Sequence, residues 1–171
     1  FLGYMQHLFF RQLTQRLIGE DVSIFRAMFM NKPAERGTVL PWHQDVGVGW
    51  GVDNNPTATV WTALDPAVVA TGCMQVVPGS HKHGVISERH FPSEEQLAEC
   101  APPGLEIDLE AEAGEAILLN NLMLHRSGVN STEQSRRAFS IAYMDGASRS
   151  TRTGEGYPMI FGDEALVPAL S

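Results

Sequence analysis

Residues 105–113 read Leu105-Glu106-Ile107-Asp108-Leu109-Glu110-Ala111-Glu112-Ala113, with apolar and acidic residues alternating without a break. Successive side chains of a strand point to opposite faces. A period of two therefore predicts a half-buried strand with its apolar side on a core and its acidic side in water. Pro102-Pro103-Gly104 bounds it on one side and Gly114-Glu115 on the other. Moving toward the C-terminus, residues 116–119 are apolar, residues 120–125 carry the run to His125, and residues 127–135 form a polar turn before a last clear strand at 137–144. Moving toward the N-terminus, residues 57–64 alternate and are β-branched, and residues 73–77 form a short apolar strand closed by Pro78-Gly79-Ser80. Residues 38–48 are a further strand region, and residues 23–31 another, ending at Lys32-Pro33. Only residues 4–18 carry helical spacing, in Met5, Leu8, Phe9, Leu13 and Leu17, with Gly19 as a stop. Residues 82–104 read as a surface excursion holding one short helix behind the Ser93–Gln96 capping box. The tail from Asp145 ends in an apolar patch at 157–161 that is expected to dock back on the body. One helix followed by about eight short strands predicts a mainly β protein, a two-sheet jelly roll.

Composition agrees. Hydrophobic residues are 43% of the 171 and charged residues only 19%, enough to fill one core and too little charge for a disordered chain. The 16 glycines and 10 prolines suit many turns better than a helical bundle. A net charge of −8 excludes a generic nucleic-acid binder, which needs a basic face. No apolar run approaches the roughly 18–20 residues that span a bilayer, so no membrane association is expected. No signal peptide is read, and two cysteines, Cys73 and Cys100, are too few for a disulfide scaffold; a reduced, cytoplasmic setting is the expectation. Oligomeric state has no signature here. A single domain over residues 1–171 is expected.

The chemistry concentrates in Trp42-His43-Gln44-Asp45. On a strand, residues i and i+2 share a face, so His43 and Asp45 would present an imidazole and a carboxylate side by side. One more histidine would complete a facial triad that leaves three metal positions open, the arrangement suited to non-haem Fe(II) and O2. The candidates are His7, His81, His83, His90 and His125. His7 falls on the helix and His90 in the excursion, which disfavours both. His125 ends an apolar run, and Arg136, opening the next strand, offers a rigid fork for a carboxylate such as that of a 2-oxo acid. A rival cluster, His81, His83 and Glu88, resembles part of a cupin metal motif and would give a metal enzyme without 2-oxoglutarate. A catalytically idle jelly roll that only binds is the third reading.

The runs Trp42-His43-Gln44-Asp45, Val60-Trp61-Thr62-Ala63-Leu64-Asp65, Gly72-Cys73-Met74-Gln75-Val76-Val77-Pro78-Gly79-Ser80-His81, His125-Arg126-Ser127-Gly128-Val129-Asn130 and Arg136-Arg137 together resemble the phytanoyl-CoA dioxygenase family. The resemblance covers residues 28–144 and implies a double-stranded β-helix, a cupin-like jelly roll. It implies an Fe(II)- and 2-oxoglutarate-dependent dioxygenase that hydroxylates a small organic molecule with O2. It also implies iron ligands at His43, Asp45 and His125, with Arg136 on the distal 2-oxoglutarate carboxylate and Ser127 supporting it. Trp61 and Met28 match positions that line the co-substrate pocket. Family members carry a longer N-terminal region that supplies a lysine to that pocket, so part of this region is expected to be missing.

Overall fold

The computed structural model describes residues 1–34 and 39–167. Two antiparallel sheets face each other. The first is five-stranded, in the order β6-β3-β8-β1-β9, built from β1 (Val22–Lys32), β3 (Ala58–Ala63), β6 (Ala116–Asn120), β8 (Arg136–Asp145) and β9 (Met159–Phe161). The second is four-stranded, in the order β2-β7-β4-β5, built from β2 (Leu40–His43), β4 (Met74–Val76), β5 (Ile107–Leu109) and β7 (His125–Ser127). This is the two-sheet jelly roll expected from the pattern.

The five-stranded sheet has apolar residues on both faces, so it carries two cores. On its outer face Val22, Ile24, Val60, Phe139, Ile141 and Tyr143 pack with Phe10. Phe10 comes from the N-terminal helical segment, which is split into α1 (Leu2–Met5) and α2 (Leu8–Leu17). The split has a local cause: His7 leaves the helical path, and its Nδ1 accepts the Phe9 N–H at 3.2 Å, capping α2. The 157–161 patch docks as expected, with β9 pairing on β1 and Ile160 and Phe161 buried in this core. On the inner face Trp61, Ala63, Cys73, Met74, Leu119 and Ala138 join the two sheets.

One irregularity decides what lines the interior. Along β1 the register with β8 runs Ile24↔Tyr143 and then Arg26↔Ala142, leaving Phe25 as an extra residue. A bulge of one residue reverses the parity of every side chain beyond it. Val22 and Ile24 therefore face the helices, whereas Arg26, Met28 and Met30 face the space between the sheets. Without the bulge these three would sit outside.

The 105–113 stretch is shorter as a strand than its alternation predicts. Only Ile107–Leu109 pairs, followed by a bridge from Ala111 to Ala67, and Leu105 and Ile107 are 54% and 48% exposed. The reason is position. β5 is an edge strand whose single neighbour, β4, offers three residues. Its acidic side chains turn to local work: Asp108 accepts from Gln75 at 2.7 Å and Glu110 from the Val69 N–H at 2.9 Å. The 38–48 region is likewise a strand only at Leu40–His43, and Thr38 lies outside the described residues. His125 does not end the 118–124 run. β6 stops at Asn120, residues 121–124 cross between sheets, and His125 begins β7. In the excursion, Ser93 caps the short helix α3 (Glu94–Cys100) through the expected capping box.

Candidate metal centre and co-substrate pocket

β2 and β7 are neighbours, and His43 stands opposite His125 in their register. The two ring centroids are 4.1 Å apart. Each ring has its Nδ1 on a carbonyl two residues back, Pro41 at 2.8 Å for His43 and Met123 at 2.9 Å for His125. A carbonyl only accepts, so both Nδ1 atoms carry the proton and both Nε2 atoms present a lone pair. Those two nitrogens meet one carboxylate, with His43 Nε2 4.0 Å from Asp45 Oδ1 and His125 Nε2 4.0 Å from Asp45 Oδ2. Burial, then the neighbouring His125, pushes the His43 imidazole down to about 3, and burial also lowers His125. Neutral imidazoles in this tautomer are ligands.

Asp45 lies just past the end of β2 and is held by the crossover. Its N–H donates to the Asn121 carbonyl at 3.0 Å, and Asn121 Nδ2 donates back to the Asp45 carbonyl at 3.2 Å. Gln44 points the opposite way from its two neighbours. Its Nε2 donates to the carbonyls of Gly84 and Leu122 at 2.8 and 2.6 Å, and its Oε1 accepts the Ile86 N–H at 2.8 Å. The residue between the two ligand candidates thus anchors the 82–104 excursion. Among the described residues, the three candidate ligand atoms of His43, Asp45 and His125 lie within 4.8 Å of one another, and no other such group of histidine, cysteine and acidic residues occurs.

These residues line a cavity of about 270 Å³ that also receives Arg136, Ser127, Trp61 and Met28. Arg136 is 3% exposed. One of its nitrogens donates to the Gly72 carbonyl at 2.8 Å, its Cζ lies 5.3 Å from the Trp61 ring centroid, and its buried Nε has no acceptor. Ser127 accepts from Lys32 Nζ at 2.9 Å. Lys32 stands opposite Arg136 in the β1–β8 register, and burial together with Arg136 lowers its ammonium to about 8. A lysine from β1 thus stands beside Ser127 and Arg136, behind the cavity lining. Met28, 40% exposed, sits at the rim.

The other candidates part company with the site. His83 and Glu88 are exposed, and His81 sits in a single-turn helix at Ser80–His83, so the cupin-like cluster is not assembled. His81 Nδ1 is buried without a hydrogen-bond partner. Arg137 points away from Arg136 into a surface pair with Asp65 at 2.7 Å.

Sequence reasoning set His90 aside and overlooked Arg26, Lys32, Gln44 and Asn121. His90 lines the cavity, its ring 5.0 Å from that of His43. Arg26 donates to Asp45 Oδ1 at 3.0 Å and lies 4.6 Å over the Trp50 ring. A signal existed for two of them: Arg26 and Lys32 are the basic residues in an otherwise largely apolar strand. The Phe25 bulge that aims Arg26 has no such signature.

Two imidazoles and one carboxylate between the sheets of a jelly roll define a class, the mononuclear non-haem metal enzymes with a facial triad. The model of the phytanoyl-CoA dioxygenase (PhyH) family matches residues 4–138. The chain belongs to that family, whose members depend on Fe(II), 2-oxoglutarate and O2. It is 33% identical over 145 residues to a probable phytanoyl-CoA dioxygenase of Caenorhabditis elegans, a match covering 77% of this chain and 46% of that protein. The chain thus spans just under half the length of this relative. Among solved structures, the apo non-haem monooxygenase ThoJ superposes with a TM-score of 0.75 at 26% identity, covering 95% of this chain and 62% of ThoJ. The epimerase SnoN in complex with Fe3+, α-ketoglutarate and nogalamycin RO gives 0.70 at 25% identity, covering 90% of this chain and 61% of SnoN.

Proposed function

We propose that this chain is the core of an Fe(II)- and 2-oxoglutarate-dependent dioxygenase that hydroxylates a small organic molecule, with succinate and CO2 as co-products. The observation that carries the reading is the pairing of two features in one cavity. Three convergent ligand atoms lie within 4.8 Å of one another, and a buried guanidinium with an unused N–H shares their pocket. The donor set fits Fe(II): two neutral imidazole nitrogens and one carboxylate. His43, Asp45 and His125 would hold the ion, which with 2-oxoglutarate supplies the O2 activation needed to break a C–H bond.

The chain's own residues do the rest. Arg136, with its free Nε–H, receives the distal carboxylate of 2-oxoglutarate as a charge-assisted pair, and Ser127 orients beside it. Lys32 adds a second buried positive charge at that end. Trp61 walls the co-substrate and keeps the Arg136 plane fixed; Met28 closes the rim. Leu40, Met30, Met74 and Leu119 make the remaining wall apolar and exclude water from the reacting carbon. The Pro41 and Met123 carbonyls hold both imidazoles in the binding tautomer. A cytoplasmic setting belongs to the same reading, supported by Cys73 and Cys100 as free thiols.

The test is linkage. Fe(II) and 2-oxoglutarate together should raise the melting temperature more than either alone, because ligand that binds only the folded state stabilises it by mass action. Under air, a panel of small molecules should contain members that stimulate succinate formation. A chain that melts at the same temperature with and without both ligands refutes the reading.

A further inference from the structure

Among the described residues, five buried polar side-chain atoms lack a hydrogen-bond partner, and three of them belong to side chains lining the one cavity: Arg136 Nε, Arg26 Nε and His90 Nδ1. Buried polar atoms are nearly always paired, so such a concentration marks groups that await a ligand. The proposed function uses Arg136. It leaves Arg26 and His90 without a task.

Both stand beside Trp50. The Arg26 guanidinium lies 4.6 Å over the Trp50 ring, and the His90 ring is 5.9 Å from the same indole. Phe25, the extra residue of the β1 bulge, also packs against Trp50, their ring centroids 4.9 Å apart. His90 is held there at a cost: it is the one non-glycine residue with positive φ, at 62°, among the described residues. A side chain kept in the left-handed region next to a cavity points to a functional constraint.

Charge fixes the chemistry. The cavity is lined by three arginines, Arg26, Arg126 and Arg136, and by a single acid, Asp45. Arg126 is engaged elsewhere, with Gln75 at 2.7 Å and Glu106 at 3.8 Å. Arg26 leans on Asp45 at 3.0 Å. Once Asp45 binds a dication, its negative charge is shared, and Arg26 is left beside an excess of positive charge. A planar anion in front of Arg26 restores the balance, and a guanidinium is the group that pairs with carboxylate in two parallel bonds.

We propose that Arg26, with His90 and Trp50, is the receptor for a carboxylate on the primary substrate, so that the substrate class is a small acid or the acid end of a longer one. The inference rests on the oxygenase reading, which assigns Arg136 to the co-substrate. Arg26 would hold the acid group on the Trp50 side of the metal ligands, His90 would supply a second polar contact, and the apolar wall would take the carbon chain to be oxidised.

The test uses hexanoate and hexanamide as probes on protein loaded with Mn(II), which is redox-inert here, and saturated with 2-oxoglutarate. Calorimetry should give hexanoate an affinity about tenfold or more above hexanamide. Arg26→Met should remove that preference while 2-oxoglutarate affinity stays within about threefold. Arg26→Lys, which keeps the charge, should restore most of it. Equal binding of the two probes by the wild-type protein, or a preference that survives in Arg26→Met, overturns the subsite. If the wild type takes up neither Mn(II) nor 2-oxoglutarate, the oxygenase reading fails instead. The same pair of titrations on metal-free Asp45→Asn, in which Arg26 has lost its carboxylate partner, and on Asp45→Asn/Arg26→Met then decides the subsite alone: an acid preference lost with Arg26 upholds it, and no difference overturns it.

Discussion

Replacing Arg136 by Met should separate binding from folding, with opposite signs. In the unliganded protein Arg136 is a buried cation with no carboxylate partner among the described residues, standing opposite Lys32, a second buried cation. What the substitution removes is one charge-assisted hydrogen bond to the Gly72 carbonyl, about 1.5–3 kcal/mol, and a contact with Trp61 of roughly 0.5–2 kcal/mol. What it relieves is the desolvation of an ion, still several kcal/mol after relaxation, together with repulsion from Lys32. The two sides close to within a few kcal/mol, with relief slightly ahead. The metal-free variant should therefore melt at or above the wild-type temperature, where about 1 kcal/mol corresponds to roughly 2–4 °C for a chain of this size. In the Mn(II)-loaded protein the same substitution should weaken 2-oxoglutarate binding by about 2–5 kcal/mol, roughly 30-fold to several thousand-fold. Thermal unfolding in chelator and calorimetry with Mn(II) measure the two effects on one sample. A variant that melts several degrees lower yet binds 2-oxoglutarate normally would show Arg136 to be a structural residue and refute the reasoning.

His43→Ala and His125→Ala should each abolish stoichiometric Fe(II) uptake, measured by metal analysis after desalting, whereas His81→Ala should leave it intact; the reverse would revive the His81 cluster. Gln44→Ala strands two carbonyls and one N–H, so amide exchange at residues 84–91 should speed up by at least about tenfold while the β8 amides stay protected; unchanged exchange would mean the excursion is anchored elsewhere. Lys32 gives a pH signature. Its folded-state ammonium is lowered to about 8 from 10.5, so between these values the unfolded chain binds the extra proton and stability rises with pH. Cys73, raised by burial to about 11, acts with the opposite sign above about 9, so the measurement is the difference between wild type and Lys32→Met in denaturant midpoints from pH 7.5 to 9. Midpoints that run parallel in the two proteins would place the Lys32 ammonium in solvent-like surroundings.

The sheet architecture was legible because each sheet carries a period-two run, and two of the candidate metal ligands because residues two apart in an extended segment share a face, which pairs His43 with Asp45; His125 was singled out by the family resemblance. Arg136 and Arg137 part between cavity and surface because neighbours on a strand face opposite ways. What stayed hidden depends on events longer than a window of sequence. The Phe25 bulge reverses the second half of β1 and delivers Arg26 to the interior, and no local pattern encodes it. The 105–113 alternation was read as a long half-buried strand because period reports which side chains share a face, not whether a neighbour exists to pair with. His90 was set aside for lying in an excursion, yet Gln44 ties that excursion down beside the candidate metal ligands.

That last tie has a consequence for variation. All three bonds of Gln44 go to main-chain groups, those of Gly84, Ile86 and Leu122. The anchor therefore reads the path of the excursion and is blind to its side chains. Exposed residues such as Val85, Glu88 and Arg89 can be exchanged without loosening the joint to the candidate metal centre, provided the backbone keeps its course. A scaffold jointed in this way can acquire new specificity in one segment while the rest stays where it was, and library diversity placed at the exposed positions Val85, Glu88 and Arg89 should be tolerated far better than diversity at Gln44 itself.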